Sequence, residues 1–152
     1  MSNRFMKNKI MLMSLSVVSF IFMIMINVLA NTLPINGYNT GQLSALYPNL
    51  FVPAGITFSI WGLIYISLIL FGYGLYKLKN IDSVIFKKLS ILFIISNLLN
   101  GGWLLAWHYK LIELSLIIMI ALLWTLIRLY IVVKSISDSQ TTDWDCVCKF
   151  CI

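Results

Sequence analysis

The sequence predicts an all-α integral membrane helical bundle with four transmembrane helices, and three observations predict it. The 152 residues are 61% hydrophobic and 11% charged, with a mean hydropathy of +0.94, whereas a soluble domain carries roughly 25% charged residues. No Asp, Glu, Lys, Arg or His occurs between Lys9 and Lys77, and so long an uncharged stretch cannot furnish a water-facing surface. The basic residues gather at the edges of apolar blocks: Arg4, Lys7 and Lys9 ahead of the first, Lys77, Lys79, Lys87 and Lys88 in one connection, Lys134 after the last. A net charge of +6 placed in this way marks membrane topology and argues against a nucleic-acid partner. A barrel is excluded as well, because the apolar blocks are continuous and each is about twice the length of a barrel strand.

The first predicted span covers residues 10–30, about 31 Å of helix against a hydrocarbon core of about 30 Å. The small residues of Val28-Leu29-Ala30 make a cleaved signal peptide the alternative, but the run is longer than the 7 to 15 residues of a signal core, so a retained anchor is expected. The second span covers 56–76, the third 89–107 and the fourth 111–133, each close to the ~20 residues needed to cross. The last two are separated by His108, Tyr109 and Lys110, which forces an antiparallel hairpin. The transmembrane bundle thus occupies 1–134, with a tail at 135–152. The N-terminus, the 77–88 turn and the tail are basic, while 31–55 has no charge, so both termini are expected on the cytoplasmic side of the cell membrane.

The 31–55 loop is long for a bundle connection. It combines turn formers (Pro34, Asn36-Gly37, Asn39, Gly41, Pro48, Pro53) with Leu33, Leu43, Leu46, Tyr47, Leu50 and Phe51, a composition that suits a lid packed on the bundle mouth. Where it enters the second span, the segment FVPAGITFSIWGLIY resembles the tryptophan-rich sensory protein family, the TspO and mitochondrial benzodiazepine-receptor (translocator) proteins. That family enters its second helix through a Pro- and Trp-rich segment ending W-x-x-L-Y, here Trp61-Gly62-Leu63-Ile64-Tyr65 with Ile64 in the leucine position. Its third helix carries L-N-x-x-W, here Leu99-Asn100-Gly101-Gly102-Trp103, and its fourth a leucine run ending in Trp, here Leu122-Leu123-Trp124. The likeness extends over about residues 13–134. In departure from the pattern, Pro53 is followed by Ala54, Gly55 and Ile56 instead of a Trp. Family members have at least five transmembrane helices where four are read here, which makes a divergent, C-terminally truncated branch the expectation.

The resemblance implies a membrane receptor or sensor that binds a hydrophobic planar ligand, a porphyrin or haem-type tetrapyrrole, in a helical pocket, with a role in transport or stress sensing. It carries ligand contact onto Trp61, Tyr65, Asn100 and Trp103. A light-dependent degradation of porphyrin, known in the family, is the enzymatic alternative. The residues themselves support only the pocket type: aromatic walls for stacking, an amide for orientation and a dry surround. Asn100 inside a span needs a partner, either another helix or a ligand. It shares a face with Asn97 and Leu104, beside Gly101 and Gly102 where helices can approach closely, and Asn27 near the outer end of the first span is placed to complete a polar cluster with the 31–55 loop.

Other residues carry simpler readings. Trp107, Tyr109, Tyr76 and Tyr130 suit aromatic belts, and Arg128, six residues before Lys134, snorkels to the boundary. His108, the single histidine, is expected to be solvated at the outer mouth, with axial ligation to a haem-type iron as the sharper alternative. No set of nucleophile, base and orienting group can be assembled, so no catalytic residue is assigned and an enzyme is not expected. Cys146, Cys148 and Cys151 offer three thiols with no fourth ligand nearby, so no metal site is assigned; their abrupt composition suits a shifted reading frame. The alternative to a ligand-binding protein is a membrane fragment with only structural or oligomerising capacity, forming a homodimer through Gly72, Gly74, Gly101 and Gly102.

Overall fold

The computed structural model describes residues 2–33, 36–37, 60–77 and 82–137, without the side chains of 2–5, 31, 60, 61, 75, 77 and 137. Among the described residues the fold is all helical: α1 (Ser2–Thr32), α2 (Ile60–Lys77), α3 (Ser83–His108) and α4 (Ile112–Ser137). Three stretches are long and apolar enough to cross a membrane: Met6–Ala30, Ser83–His108 and Ile112–Ile136. A shorter apolar helix occupies Gly62–Gly74. The lid-like loop at 31–55 lies almost wholly outside the described residues, as does most of the tail.

α1, α3 and α4 overrun the apolar blocks that predict them, whereas α2 begins at Ile60, inside its expected span; for α3, polar residues shape the ends. Asp82 caps α3, its carboxylate accepting the Val84 N–H at 3.1 Å, which moves the helix start ahead of the apolar run to Ser83. At the other end, Lys110 adopts a left-handed conformation with φ 60°. The Leu111 N–H then reaches the Ala106 carbonyl at 2.9 Å and the Lys110 N–H reaches Trp107 at 3.0 Å. These paired bonds close off the last turn of α3. Leu111 also accepts the first bond of α4 through the Ser115 N–H, so the predicted hairpin is made with no spare residue.

α3 is the central helix. Half of its span is buried, against 28% for α1 and 17% for α4, because it presents two stripes. Phe86, Ser90, Phe93, Asn97, Asn100, Gly101 and Leu104 are buried at helical spacing, and they meet α1 through Ser16, Ser19, Met23, Ile26, Asn27 and Ala30. On its other side Leu89 packs with Leu129, Val132 and Ile136 of α4, with Phe71 of α2 against the same cluster. The buried α1 positions recur at alternating steps of three and four, as do Thr125, Leu129, Val132 and Ile136 on α4, the seam of a left-handed helix pair. Small polar residues populate these seams because, with lipid as apolar as leucine, close backbone approach drives helix association. Their hydroxyls bond back to carbonyls of their own helices: Ser16 to Leu12, Ser96 to Phe93, Ser115 to Ile112, Thr125 to Ala121.

Gly101 is where α1 comes closest. A Cβ built there would stand 3.3 Å from Ile26 Cδ1, whereas one at Gly102 meets nothing within 4 Å. Of the glycines predicted to serve lateral association, Gly101 is therefore occupied by an internal contact. Arg128 lies exposed on α4, its guanidinium 5.5 Å from the centroid of the Trp124 ring one turn back, where a cation–π contact holds it along the helix surface.

Candidate functional site

Two features of the bundle stand out, a buried polar node toward the uncharged loop and an open cleft toward the basic end. The first is built around Asn27. Its Nδ2 donates to the Met23 carbonyl at 2.9 Å and to Asn100 Oδ1 at 3.1 Å, and its Oδ1 accepts the Tyr65 hydroxyl at 2.5 Å. One amide thereby ties α1 to both α2 and α3. Of the residues predicted to contact ligand, Tyr65 and Asn100 are brought together through Asn27, and Trp103 packs on the adjoining cluster of Ile26, Ala30 and Leu104. Trp61 is placed on the first turn of α2, but its side chain lies outside the described residues. Asn27 is 4% exposed and Asn100 8%, so this node is dry and its hydrogen bonds are worth more than they would be in water.

A second polar pair stands one turn deeper. Asn97 Nδ2 donates to Ser19 Oγ at 3.2 Å, and Ser19 in turn donates to the Ser16 carbonyl at 2.9 Å. Asn97 Oδ1 is buried with no hydrogen-bond partner among the described residues, an acceptor that is costly to leave unmet.

His108 differs from expectation. It is 1% exposed, not solvated, and its Nδ1 stands 2.9 Å from the Leu104 carbonyl. A carbonyl only accepts, so Nδ1 donates in that contact. Nε2 is buried with no hydrogen-bond partner among the described residues. The loop also reaches this end of α3: Asn36, with Gly37, forms a tight turn with both φ values positive, and Asn36 Nδ2 donates to the His108 backbone carbonyl at 3.2 Å. The Asn36-Gly37 turn is legible in the sequence; its docking on the end of α3 is not.

The second feature is a cleft of about 310 Å³ among α1, α2 and α3, open on one side. Phe20, Phe86 and Phe93 form its walls, with Met13, Gly72 and Tyr73 among its other linings. The Phe20 and Phe93 rings stack at 6.2 Å between centroids, and Phe71 meets Phe93 at 5.4 Å. Lys9 holds its Nζ 4.9 Å above the Phe86 ring, at the cleft's end. None of the predicted site residues lines it. The signal that could have found it is the small residues Ser16, Gly72 and Ser90 among the aromatic positions of α1 and α3, readable only once helix neighbours are known.

Among the described residues no group of three or more His, Cys, Asp or Glu side chains could hold a metal ion; the three cysteines lie outside them. The sequence matches the model of the family described as TSPO-like protein over residues 13–152. No curated protein and no solved structure matches the chain.

Proposed function

The chain belongs to the TSPO-like protein family, the family its Trp61, Asn100 and Trp103 motifs resemble, and from that premise we propose a membrane receptor of sensor type. Its ligand is a hydrophobic planar molecule of tetrapyrrole type, bound at the loop end of the bundle, and its work is sensing or transport, not catalysis. The observation that carries the reading is the convergence of Tyr65 and Asn100 on Asn27, beside Trp103 and its apolar cluster. An aromatic wall with one amide node is the chemistry that holds a flat, mostly apolar ligand and fixes its orientation. Trp61 stands on the first turn of α2, one turn ahead of Tyr65. Both termini face the cytoplasm, by the distribution of lysines.

A specific observation favours a second reading. Asn27 is satisfied internally by Met23, Asn100 and Tyr65, which is what helix glue requires with no ligand at all. A protoporphyrin titration of the purified chain, followed by Trp quenching, separates the two. Saturable micromolar binding, weakened about tenfold by Trp61→Phe or Trp103→Phe, supports the receptor. Quenching that does not saturate and ignores both substitutions leaves a structural bundle instead.

A further inference from the structure

We propose that the cleft at the basic end holds one acyl chain of an anionic phospholipid, with the lipid phosphate seated on the Lys9 ammonium. The walls are apolar and aromatic, and the volume of about 310 Å³ sits at the low end of small-ligand pockets. From Met13 to Phe20 the cleft follows α1 for about 10 Å, most of the ~15 Å depth of one leaflet. A slot of that height, open to the side of the bundle, admits a chain lying along the helices directly from the bilayer. Gly72 keeps it clear, since a Cβ there would meet no atom within 4 Å.

Charge selects the headgroup. Lys9 lies one turn from Met13, with its Nζ over the Phe86 ring that walls the cleft, so a phosphate there meets an ammonium directly above the chain it carries. Lys7, Lys87 and Lys88 are exposed at the same end, and four lysines beside transmembrane helices form the basic cluster that anionic headgroups recognise. Asn27 stands about 10 Å further along α1 than Phe20, so a lipid here and a ligand at the loop end do not touch, and the assignment does not rest on the tetrapyrrole reading.

Native mass spectrometry of the delipidated full chain tests it, with phosphatidylglycerol and phosphatidylcholine of identical acyl chains. One phosphatidylglycerol is expected to remain bound at about fivefold lower concentration than phosphatidylcholine, the contribution of one lysine near a headgroup. Lys9→Gln removes that preference but keeps a bound chain, and Gly72→Leu, which fills open space, lowers retention of both lipids. Val17→Trp, at the exposed mouth of the cleft, does the same should Gly72→Leu lose helicity. Equal retention of the two lipids, or retention unchanged by a helical, monodisperse Gly72→Leu or Val17→Trp variant, overturns the site. So does stoichiometric displacement of the lipid by protoporphyrin, which would give the cleft to the tetrapyrrole. Protoporphyrin binding that fails in the wild type while lipid selectivity persists sinks the receptor reading alone.

Discussion

At the scale of single residues, Asn27 and Asn100 set the register between α1 and α3. Replacing one amide strands the other: Asn27→Leu removes the donor that Asn100 Oδ1 accepts from, at a cost of about 1–3 kcal/mol. Interhelical hydrogen bonds in bilayers average nearer 0.6 kcal/mol, so the stranded groups, not the lost attraction, dominate. We therefore expect Asn27→Leu and Asn100→Leu each to destabilise the bundle in denaturant titrations from bicelles. The double variant should lose less than the sum of the two, a coupling that independent sites would not give. Asn100 was legible because an amide within an apolar run stands out. Its partner was not, since no local rule joins positions 73 residues apart, and Asn27 was expected to cluster with the loop instead. His108 was misread for a related reason: a lone histidine at a membrane boundary is solvated by default, and its burial at 1% exposure is decided by tertiary packing that no local pattern records.

At the scale of elements, α3 carries the architecture with two buried stripes, and its sequence shows both once the spacing is followed from Phe86 to Leu104. The glycine pair within it is asymmetric. Gly101→Leu must displace Ile26 and Phe22 of α1, an overpacking that costs about 1–3 kcal/mol and disturbs the neighbouring Asn27–Asn100 bond. Gly102→Ala enters open space and removes a flexible residue from a helix interior, a gain of up to ~1 kcal/mol. Thermal unfolding of the two variants is expected to move in opposite directions; equal shifts would mean that α1 does not approach at Gly101. The order of the helices was readable from hydropathy alone, although the second, expected as a span over 56–76, has a shorter apolar stretch at Gly62–Gly74; the hairpin was readable from the three residues between the last two spans. The helix ends were not, because the Asp82 cap and the left-handed Lys110 are decided by side-chain and backbone geometry outside the apolar pattern.

At the scale of the whole molecule, the candidate site was legible in its composition and not in its layout. Motif residues Tyr65, Asn100 and Trp103 gather toward the loop end, while the cleft opens toward the lysines, a division that no span-by-span reading contains. Orientation can be checked with the native thiols Cys146, Cys148 and Cys151: a membrane-impermeant maleimide should label them in inverted vesicles and not in intact cells, and labelling in cells would reverse the topology. The 73-residue separation of Asn27 from Asn100 also has a consequence in time. Ribosomes add about 5–20 residues per second, so α1 waits roughly 4–15 s after Asn27 is made before Asn100 has been synthesised. During that interval the Asn27 amide lacks its Asn100 partner, although the Met23 carbonyl of its own helix and, once α2 is made, the Tyr65 hydroxyl are within reach. Assembly of the bundle is thus paced by translation, and a newly inserted α1 is most exposed to mispairing with a neighbouring copy in the seconds before α3 arrives.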